Sequence, residues 1–334
     1  MYGGPVDVRQ AVAESLETGE FRGIGSYAAS RAWGWVADRR IARRLVWPDG
    51  KRVVAIGGPT LGGSGKTPLA LACALHLARA GVRTTLVGHA YRASPGRPRL
   101  VAPDDDVALS GDEALMCARA LAGVVGAEVI VAPTRQGALD LAFARGADVV
   151  ILDGTLQTTP RRATLSLLAV EGAEPWGAGA CPPAGDLRAS VAALLAASDR
   201  VIRIGIDATP VSRGAWSLAS GAELLDWCTL RTRRVGLVTA VARPHRVLAR
   251  LAENGVIPAC VHRLPDHAWP GGSGTPGAQT GLDLWLTTPK CRTGLPAHIH
   301  GIPVATLDYA LKLGSQAESL LGTVAHSAAH SAGP

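Results

Sequence analysis

The sequence feature that most constrains the fold is a glycine-rich turn between an apolar segment and a helix-forming segment. Residues 53–56 are a run of Val, Ala and Ile that is typical of a buried strand. Residues 69–80 are rich in Ala and Leu and predict a helix. The turn between them includes Thr60-Leu61-Gly62-Gly63-Ser64-Gly65-Lys66-Thr67. A strand that turns tightly into a helix is the building unit of an α/β fold with a parallel sheet.

The composition of this turn predicts a phosphate-binding loop. Glycines let backbone N–H groups point inward around an anion, and the start of the following helix adds partial positive charge. In the pattern G-x-x-x-x-G-K-[ST], the lysine (here Lys66) reaches the β- and γ-phosphates and the hydroxyl residue (here Thr67) ligates Mg²⁺. Thr60 stands where this pattern has Gly, so a glycine-rich turn without a nucleotide is the alternative. Only four of the 34 Lys and Arg residues are lysines, so the lysine here favours the prediction that residues 60–67 bind a nucleotide.

Composition limits the classes of protein to which this chain can belong. With 334 residues, of which 47% are hydrophobic and 18% charged, it is expected to form one large or two moderate globular domains. The formal charge of +7 favours anionic partners, but with 4% aromatic residues we expect no nucleic-acid partner. Six scattered cysteines without a C-x-x-C pair argue against a zinc site and for a reduced, cytosolic setting. Because we find neither an apolar run of about eighteen residues nor a signal peptide, we expect no membrane-spanning helix.

Two acidic motifs are placed to complete a nucleotide site. Asp112 and Glu113 stand where a polar loop becomes a helix, a position at which carboxylates also serve as ordinary helix caps. Residues 147–153 are an apolar strand that ends in Asp153 and resembles a Walker B element. A carboxylate at the end of such a strand lies beside the phosphate loop and holds Mg²⁺, directly or through water.

The order of predicted strands and helices defines the expected domains. Their alternation predicts a P-loop NTPase-like, doubly wound parallel sheet with ligands at the carboxyl ends of its strands. We expect this P-loop core over residues 51–230 and a smaller α/β lobe over residues 231–322. Residues 1–50 are expected to be an N-terminal helical segment, and the small, polar residues 323–334 a disordered tail.

Residues 21–47 differ in composition from the rest of the chain. They contain six arginines, one acid and three tryptophans, which predicts a basic amphipathic helix with a break at Gly34. Two interpretations are open. The helix lies on an anionic membrane surface, or it packs on the protein's own core and exposes its arginines to water.

Seven short motifs together resemble one family, tetraacyldisaccharide 4′-kinase, the lipid A 4′-kinase of Gram-negative bacteria. The turn resembles that family's variant, which has Thr in place of the first Gly and Pro after the final Thr, as at Thr60 and Pro68. The other motifs are Gly111-Asp112-Glu113, Asp153 with Leu156-Gln157, Pro183-Ala184-Gly185-Asp186-Leu187-Arg188, Ala242-Arg243-Pro244, Asp266-His267 and Thr287-Thr288-Pro289-Lys290. Their order is that of the family.

The resemblance implies an enzyme that uses ATP and Mg²⁺ to phosphorylate the 4′-hydroxyl of a tetraacyldisaccharide 1-phosphate, a lipid A precursor. It implies a peripheral protein at the cytoplasmic face of the bacterial inner membrane, with residues 21–47 on the anionic inner leaflet. By the same resemblance, Asp112 is the base that takes the proton of the sugar hydroxyl, and His267 assists it. Thr67, Glu113 and Asp153 then serve Mg²⁺.

The sequence departs from the family pattern at several positions. Where the family has two adjacent carboxylates, this chain has Asp153-Gly154 or, with a one-residue insertion, Leu152-Asp153, so one carboxylate is missing in either alignment. Thr158 stands where the family has a His after Gln, and Ala268 where it has a second His. Residues 88–93 lack one Arg of the family's Ser-Arg-Gly-Tyr-Gly-Arg element. Two alternatives follow: a P-loop kinase of another sugar or lipid, and a diverged ATP-binding protein with little transfer activity. The sequence does not define the oligomeric state.

Overall fold

The glycine-rich turn follows an inner strand of a large, mostly parallel sheet in the computed structural model of the chain. The structure describes residue 12 and residues 15–21, 23–88, 93–172, 175–219, 223–264, 276–277 and 279–330. These residues form two compact units, which we name the core unit (residues 12–210 with 311–330) and the C-terminal unit (residues 211–310). Asp266 and His267 lie outside the described residues.

The core unit contains both the glycine-rich turn and the strand that ends in Asp153. Its helices are α1 (Ile24–Arg39), α2 (Lys66–Arg79), α3 (Val107–Ser110), α4 (Asp112–Leu121), α5 (Arg135–Ala144), α6 (Val191–Ala197) and α10 (Ser315–His330). Its strands are β1 (Ala42–Leu45), β2 (Arg52–Gly57), β3 (Thr84–Val87), β4 (Arg99–Leu100), β5 (Ala127–Val131), β6 (Val149–Asp153), β7 (Gln157–Pro160), β8 (Leu165–Glu171), β9 (Arg200–Ile204), β10 (Ala208–Val211) and β18 (Ala310–Leu313).

Within the described residues, nine strands form one sheet in the order β18-β10-β9-β8-β2-β6-β3-β5-β4. The strands from β9 to β5 in this order run parallel, and β4 runs antiparallel to β5 at the edge. From β2 the chain continues to β3 on one side of β2. Strands β8 and β9 lie on the other side of β2, so the direction of winding reverses at β2. Ligands of such sheets bind at the carboxyl ends of the strands at this point. The predicted doubly wound α/β fold is confirmed.

The pairing of β2 with β6 fixes the position of Asp153. The two strands are in parallel register, with Val54 opposite Ile151 and Ile56 opposite Asp153. The side chains of residues 53–56 and 149–153 are buried, as expected for parallel strands covered on both faces, and this explains their continuous apolar sequences. The strand that leads into the turn and the strand that ends in the acid therefore finish side by side.

The helix predicted over residues 21–47 is shorter than expected and has no break at Gly34. Helix α1 ends at Arg39, and residues 42–45 form β1, which pairs in parallel with β7. Gly34 is buried within the continuous helix, and a Cβ built there would make an ordinary contact of 3.5 Å with the Cys181 sulphur, so the helix packs on the core at this position instead of breaking. No helix in the described part of the chain is both long and apolar enough to span a membrane.

Polar contacts attach one face of α1 to the core unit. The buried Ser30 hydroxyl donates a hydrogen bond of 2.7 Å to the carbonyl oxygen of Cys181. The Asp38 carboxylate accepts two hydrogen bonds of 2.7 Å, one from the N–H and one from the hydroxyl of Ser190, the N-cap of α6. The second interpretation, packing on the protein's own core, therefore describes this face of the helix.

The tail expected to be disordered over residues 323–334 is helical in α10 up to His330. The last four residues lie outside the described ones. Ala317, Leu321 and Val324 are buried, and their spacing of four and three residues places them on one face of the helix. Burial of this face explains why a segment of small residues forms a helix.

The C-terminal unit is a second α/β unit with its own sheet. Its elements are β11 (Gly214–Ser217), β12 (Leu224–Asp226), α7 (Trp227–Arg231), β13 (Val235–Thr239), α8 (Pro244–Glu253), β14 (Cys260–Arg263), β15 (Leu284–Thr287), α9 (Pro289–Arg292), β16 (His298–Ile299) and β17 (Ile302–Leu307). Its strands follow the order β12-β11-β17-β15-β13-β14, and β16 also pairs with β17. The unit begins at Val211, upstream of residue 231, because β11 and β12 join this sheet.

We expect the substitution Asp38→Ala to loosen α1 from the core unit. It removes the acceptor of both hydrogen bonds from Ser190, and hydrogen bonds to a charged group make a large contribution to stability. The free energy of unfolding in urea should fall by about 2 kcal/mol, and amide hydrogen exchange should accelerate within residues 24–39. Asp49→Ala, which removes an exposed ion pair with Arg161, is the matched control and should change neither. Unchanged exchange in α1 of Asp38→Ala would contradict this assignment.

Candidate active site

The glycine-rich turn has a backbone that leaves little room for side chains. Gly63 and Gly65 have φ angles of 65° and 75°, in the left-handed region that glycine adopts readily. A Cβ at Gly65 would lie 2.1 Å from Cδ1 of Ile204, and one at Gly58 would lie 1.8 Å from Oγ of Ser64. The shape of the loop therefore depends on its glycines.

A second segment of the chain braces this loop. The N–H of Leu61 donates to the carbonyl oxygen of Asp186 at 3.0 Å, and the N–H of Arg188 donates to that of Pro59 at 2.8 Å. The Arg188 guanidinium also donates to the carbonyl oxygens of Thr60 and Leu61, at 2.7 and 2.9 Å. Four hydrogen bonds thus hold the loop from one side. They come from the Pro-Ala-Gly-Asp-Leu-Arg motif, whose role the sequence did not show.

Thr60 has a structural function within the loop. Its side chain is 1% exposed, and its hydroxyl donates to the carbonyl oxygen of Gly62 at 2.7 Å. Its backbone forms an antiparallel bridge with Leu187. The predicted nucleotide-binding set therefore divides into Thr60 and Leu61, which carry bracing contacts, and residues 62–67, which form the turn itself.

Thr67, Glu113 and Asp153 come together at the start of α2. The Thr67 hydroxyl donates to Oδ2 of Asp153 at 2.7 Å and lies 3.5 Å from Oε2 of Glu113. Asp153 is 1% exposed, and its Oδ1 has no hydrogen-bond partner among the described residues. Burial raises the pKa of Asp153 and the neighbouring Glu113 raises it further, although the positive charge of Lys66 acts in the opposite direction.

The hydroxyl and the two carboxylates suit a small divalent cation. Mg²⁺ prefers oxygen ligands and keeps several water or phosphate ligands instead of a complete cage of protein groups. Within the described residues, no group of three or more His, Cys, Asp or Glu side chains surrounds a common metal position. A buried carboxylate oxygen without a hydrogen-bond donor, such as Oδ1 of Asp153, is a group that a bound cation would satisfy. The residues predicted to serve Mg²⁺ therefore fit that ion.

Asp112 is the first residue of α4 and directly precedes Glu113 in the chain. Its side chain is 2% exposed, and its Oδ1 accepts a hydrogen bond of 2.8 Å from the N–H of Glu113. This contact satisfies one of the N–H groups at the helix start, so the capping interpretation accounts for one oxygen of the carboxylate. His267, its predicted assistant, lies outside the described residues.

A cavity of about 280 Å³ beside Lys66 is lined mainly by cations. The lining residues are Arg43, Lys66, Arg135, Gly154 and Arg188. The Nη1 atom of Arg135 is buried and has no hydrogen-bond partner among the described residues. Burial lowers the pKa of Arg135, and the nearby charge of Arg43 lowers it further. A site of this charge favours a ligand with several negative charges.

Sequence reasoning missed the three arginines of this cavity. They come from separate segments, namely β1, the start of α5 and the bracing segment, so no local pattern joins them. Only Arg188 lies in a motif that the sequence analysis singled out. The structure brings them together because β1, the start of α5 and the bracing segment all line the cavity beside Lys66.

Comparison with known proteins places the chain in a family. Residues 28–269, well over half of the chain, match the family model described as Tetraacyldisaccharide-1-P 4′-kinase. The Tetraacyldisaccharide 4′-kinase of Paramagnetospirillum magneticum is 31% identical over 84% of this chain and 87% of its own length. That of a Methylobacterium species is 33% identical over 86% of this chain and 88% of its own length.

A solved structure has the same fold. The crystal structure of LpxK from Aquifex aeolicus in complex with ATP matches with a TM-score of 0.67, covering 89% of this chain and 99% of that chain. The sequences are 17% identical, so this likeness supports the fold alone. The family match and the curated relatives establish more: this chain belongs to the tetraacyldisaccharide-1-P 4′-kinase family.

Proposed function

We propose that this protein is an ATP-dependent kinase that phosphorylates the 4′-hydroxyl of a tetraacyldisaccharide 1-phosphate, the lipid A precursor. The observation that carries the proposal is the braced glycine-rich loop, whose Lys66 and Thr67 lie beside Asp153 and Glu113. Within this family, that arrangement supplies a phosphate cradle and a cation site together.

Residues 62–67 and the cations around them are the proposed binding site for the phosphates of ATP. The loop N–H groups and the start of α2 favour negative charge, and Lys66 adds a mobile ammonium group. Ser64 supports this assignment, because its buried Oγ has no hydrogen-bond partner among the described residues. Thr67, Asp153 and Glu113 would hold Mg²⁺, which when bound neutralises phosphate charge.

Asp112 is the proposed catalytic base. It takes the proton of the acceptor hydroxyl while that oxygen bonds to the γ-phosphorus, the bond from this phosphorus to the bridging oxygen breaks, and ADP leaves. Its hydrogen bond from the Glu113 N–H holds the carboxylate in a fixed orientation at the start of α4. His267 keeps its sequence-based assignment as the residue that assists Asp112.

A second candidate function is an ATP-binding protein with little transfer activity. Gly154 favours it, because this position lines the cavity without the second carboxylate that the family pattern has. A third is transfer to another sugar or lipid. The three functions are distinguished by incubating purified protein and radiolabelled ATP in detergent with tetraacyldisaccharide 1-phosphate and, in parallel, with other sugar or lipid acceptors. Labelled 4′-phosphate supports the kinase, whereas tight MgATP binding without labelled lipid supports the second function. Label on a different acceptor but none on this disaccharide supports the third.

Exposed apolar and aromatic side chains of α1 support a peripheral location on a membrane. Ile24, Trp33 and Trp35 are 95%, 58% and 61% exposed, although they are apolar or aromatic. The Arg39 guanidinium stacks over the Trp35 ring, with its Cζ atom 3.6 Å from the ring centroid. Aromatic rings beside arginines suit the headgroup region of an anionic leaflet. We assign this surface to the cytoplasmic face of the inner membrane, where the lipid acceptor would be presented.

The substitution Lys66→Ala should remove most transfer activity. It deletes the ammonium group of the phosphate cradle, and we expect the rate to fall on the order of 10²-fold or more, with weaker MgATP binding. Lys51→Ala is the matched control, because Lys51 pairs with Asp148 and does not line the cavity. Transfer rate and titration calorimetry with MgATP are the measurements. Equal rates for the two variants would refute the phosphate-binding role of Lys66.

The substitution Asp112→Asn should separate chemistry from binding. Asn keeps an acceptor for the N–H of Glu113 but cannot serve as a base, so kcat should fall about 10²–10⁴-fold while MgATP affinity is retained. Asp106→Asn is the control, because Asp106 caps α3 through the N–H of Ala108. A kcat for Asp112→Asn close to that of the wild type would exclude Asp112 as the base.

The double substitution Trp33→Ala/Trp35→Ala should weaken membrane binding. We expect partition onto vesicles with anionic lipid to fall about tenfold or more in a sedimentation assay, because two exposed aromatic rings are lost. MgATP affinity should not change. The control is Val125→Ala/Ile206→Ala, which removes two apolar side chains that are 90% and 69% exposed elsewhere on the core unit. Equal partition of the two double variants would show that α1 is not the binding surface.

A further inference from the structure

The cavity brings four cations together. Other arginines of the described residues pair with a carboxylate, as Arg83 does with Asp148 and Arg145 with Glu128. Among the described residues, no ion pair joins a carboxylate to Lys66 or to any of the three cavity arginines. Asp153 and Glu113 are the acids whose charge acts on Arg135. The cavity therefore holds more positive than negative charge.

Arg43 is the member of this group that comes from the N-terminal part of the chain. It lies in β1, where it is opposite Thr158 of β7 in parallel register. Val46, the residue directly after β1, is held as well. Its N–H donates to the Gln136 side chain at 2.9 Å, and the Gln136 side chain donates to the Val46 carbonyl oxygen at 2.8 Å. The backbone that carries Arg43 is thus held by two elements beside the cavity.

The composition of the cavity indicates which group Arg43 faces. It shares the lining with Lys66, the residue type that reaches the β- and γ-phosphates of a nucleotide, and with Gly154, which follows the proposed Mg²⁺ ligand Asp153. A glycine at position 154 adds no acid that would neutralise the guanidinium. A guanidinium in this position can donate two parallel hydrogen bonds to two oxygens of a terminal phosphate.

We propose that Arg43 is a phosphate-binding residue of this site, and that it binds the terminal phosphate of the bound nucleoside triphosphate. This inference rests on the proposed function. It assigns to β1 a direct part in the nucleotide site, beyond the glycine-rich loop and the family motifs. An arginine at the terminal phosphate neutralises charge on the group that is transferred.

The test compares Arg43→Gln with Arg44→Gln by titration calorimetry without the lipid acceptor. Arg44 is the neighbouring residue on the same strand, is also exposed, and does not line the cavity. The probes are Mg²⁺ with a non-hydrolysable ATP analogue that retains a terminal phosphate, and Mg²⁺ with ADP. We expect Arg43→Gln to bind the triphosphate about tenfold to a hundredfold more weakly, with ADP affinity within about twofold of the wild type. Arg44→Gln should bind both probes as the wild type does.

Three results would overturn the assignment: no loss of triphosphate affinity in Arg43→Gln, an equal loss for ADP, or an equal loss in Arg44→Gln. Thermal unfolding of both variants checks that the fold is intact, and both side chains are exposed, so the variants should fold. Failure of the proposed function would look different. In that case the wild-type protein would not bind the triphosphate, or Lys66→Ala would bind it as tightly as the wild type.

Discussion

The parallel register between β2 and β6 is the constraint on which the candidate active site depends. Because Ile56 lies opposite Asp153, the strand that leads into the glycine-rich turn and the strand that ends in the acid finish at the same level of the sheet. The first turn of α2 then brings the Thr67 hydroxyl within 2.7 Å of the Asp153 carboxylate. A shift of one residue would turn the Asp153 side chain to the other face of the sheet, because side chains alternate along a strand.

The charges around this junction have a cost that a ligand offsets. Placing several cations close together without carboxylate partners is unfavourable, and so is leaving an oxygen of buried Asp153 without a donor. A polyphosphate with a divalent cation satisfies both needs. The phosphates bring negative charge to the cations of the cavity, and the divalent cation brings positive charge to the Asp153 oxygen. Arg188 links this charge to the shape of the loop, because its guanidinium holds two loop carbonyls and also lines the cavity.

Local patterns in the sequence predicted the parts of the site that are contiguous in the chain. The turn, the strand that ends in Asp153 and the helix start at Asp112 and Glu113 each have their own pattern of apolar, glycine and acidic residues. The position of Arg43 and Arg135 depends instead on tertiary packing, which no local pattern encodes. The same limit explains β1, which sequence reasoning placed in a helix. Its strand conformation depends on backbone pairing with β7, more than a hundred residues away.

Gly154 shows how a departure from the family pattern can leave part of a site intact. Its φ angle is 76°, in the left-handed region, and its N–H donates to the carbonyl oxygen of Ile56 at 2.9 Å. Glycine adopts this conformation without strain, whereas a side chain there costs about 1–2 kcal/mol, and Asn or Asp bear that cost best. The glycine therefore keeps the junction between β6 and the turn while it removes a negative charge from the cavity. Under the proposed function, phosphate binding gains from that loss, because nothing at this position competes for Lys66 or the arginines. The proposed cation site has one ligand fewer and consists of Thr67, Glu113 and Asp153, so the departure at Gly154 concerns the proposed metal site more than the proposed phosphate cradle.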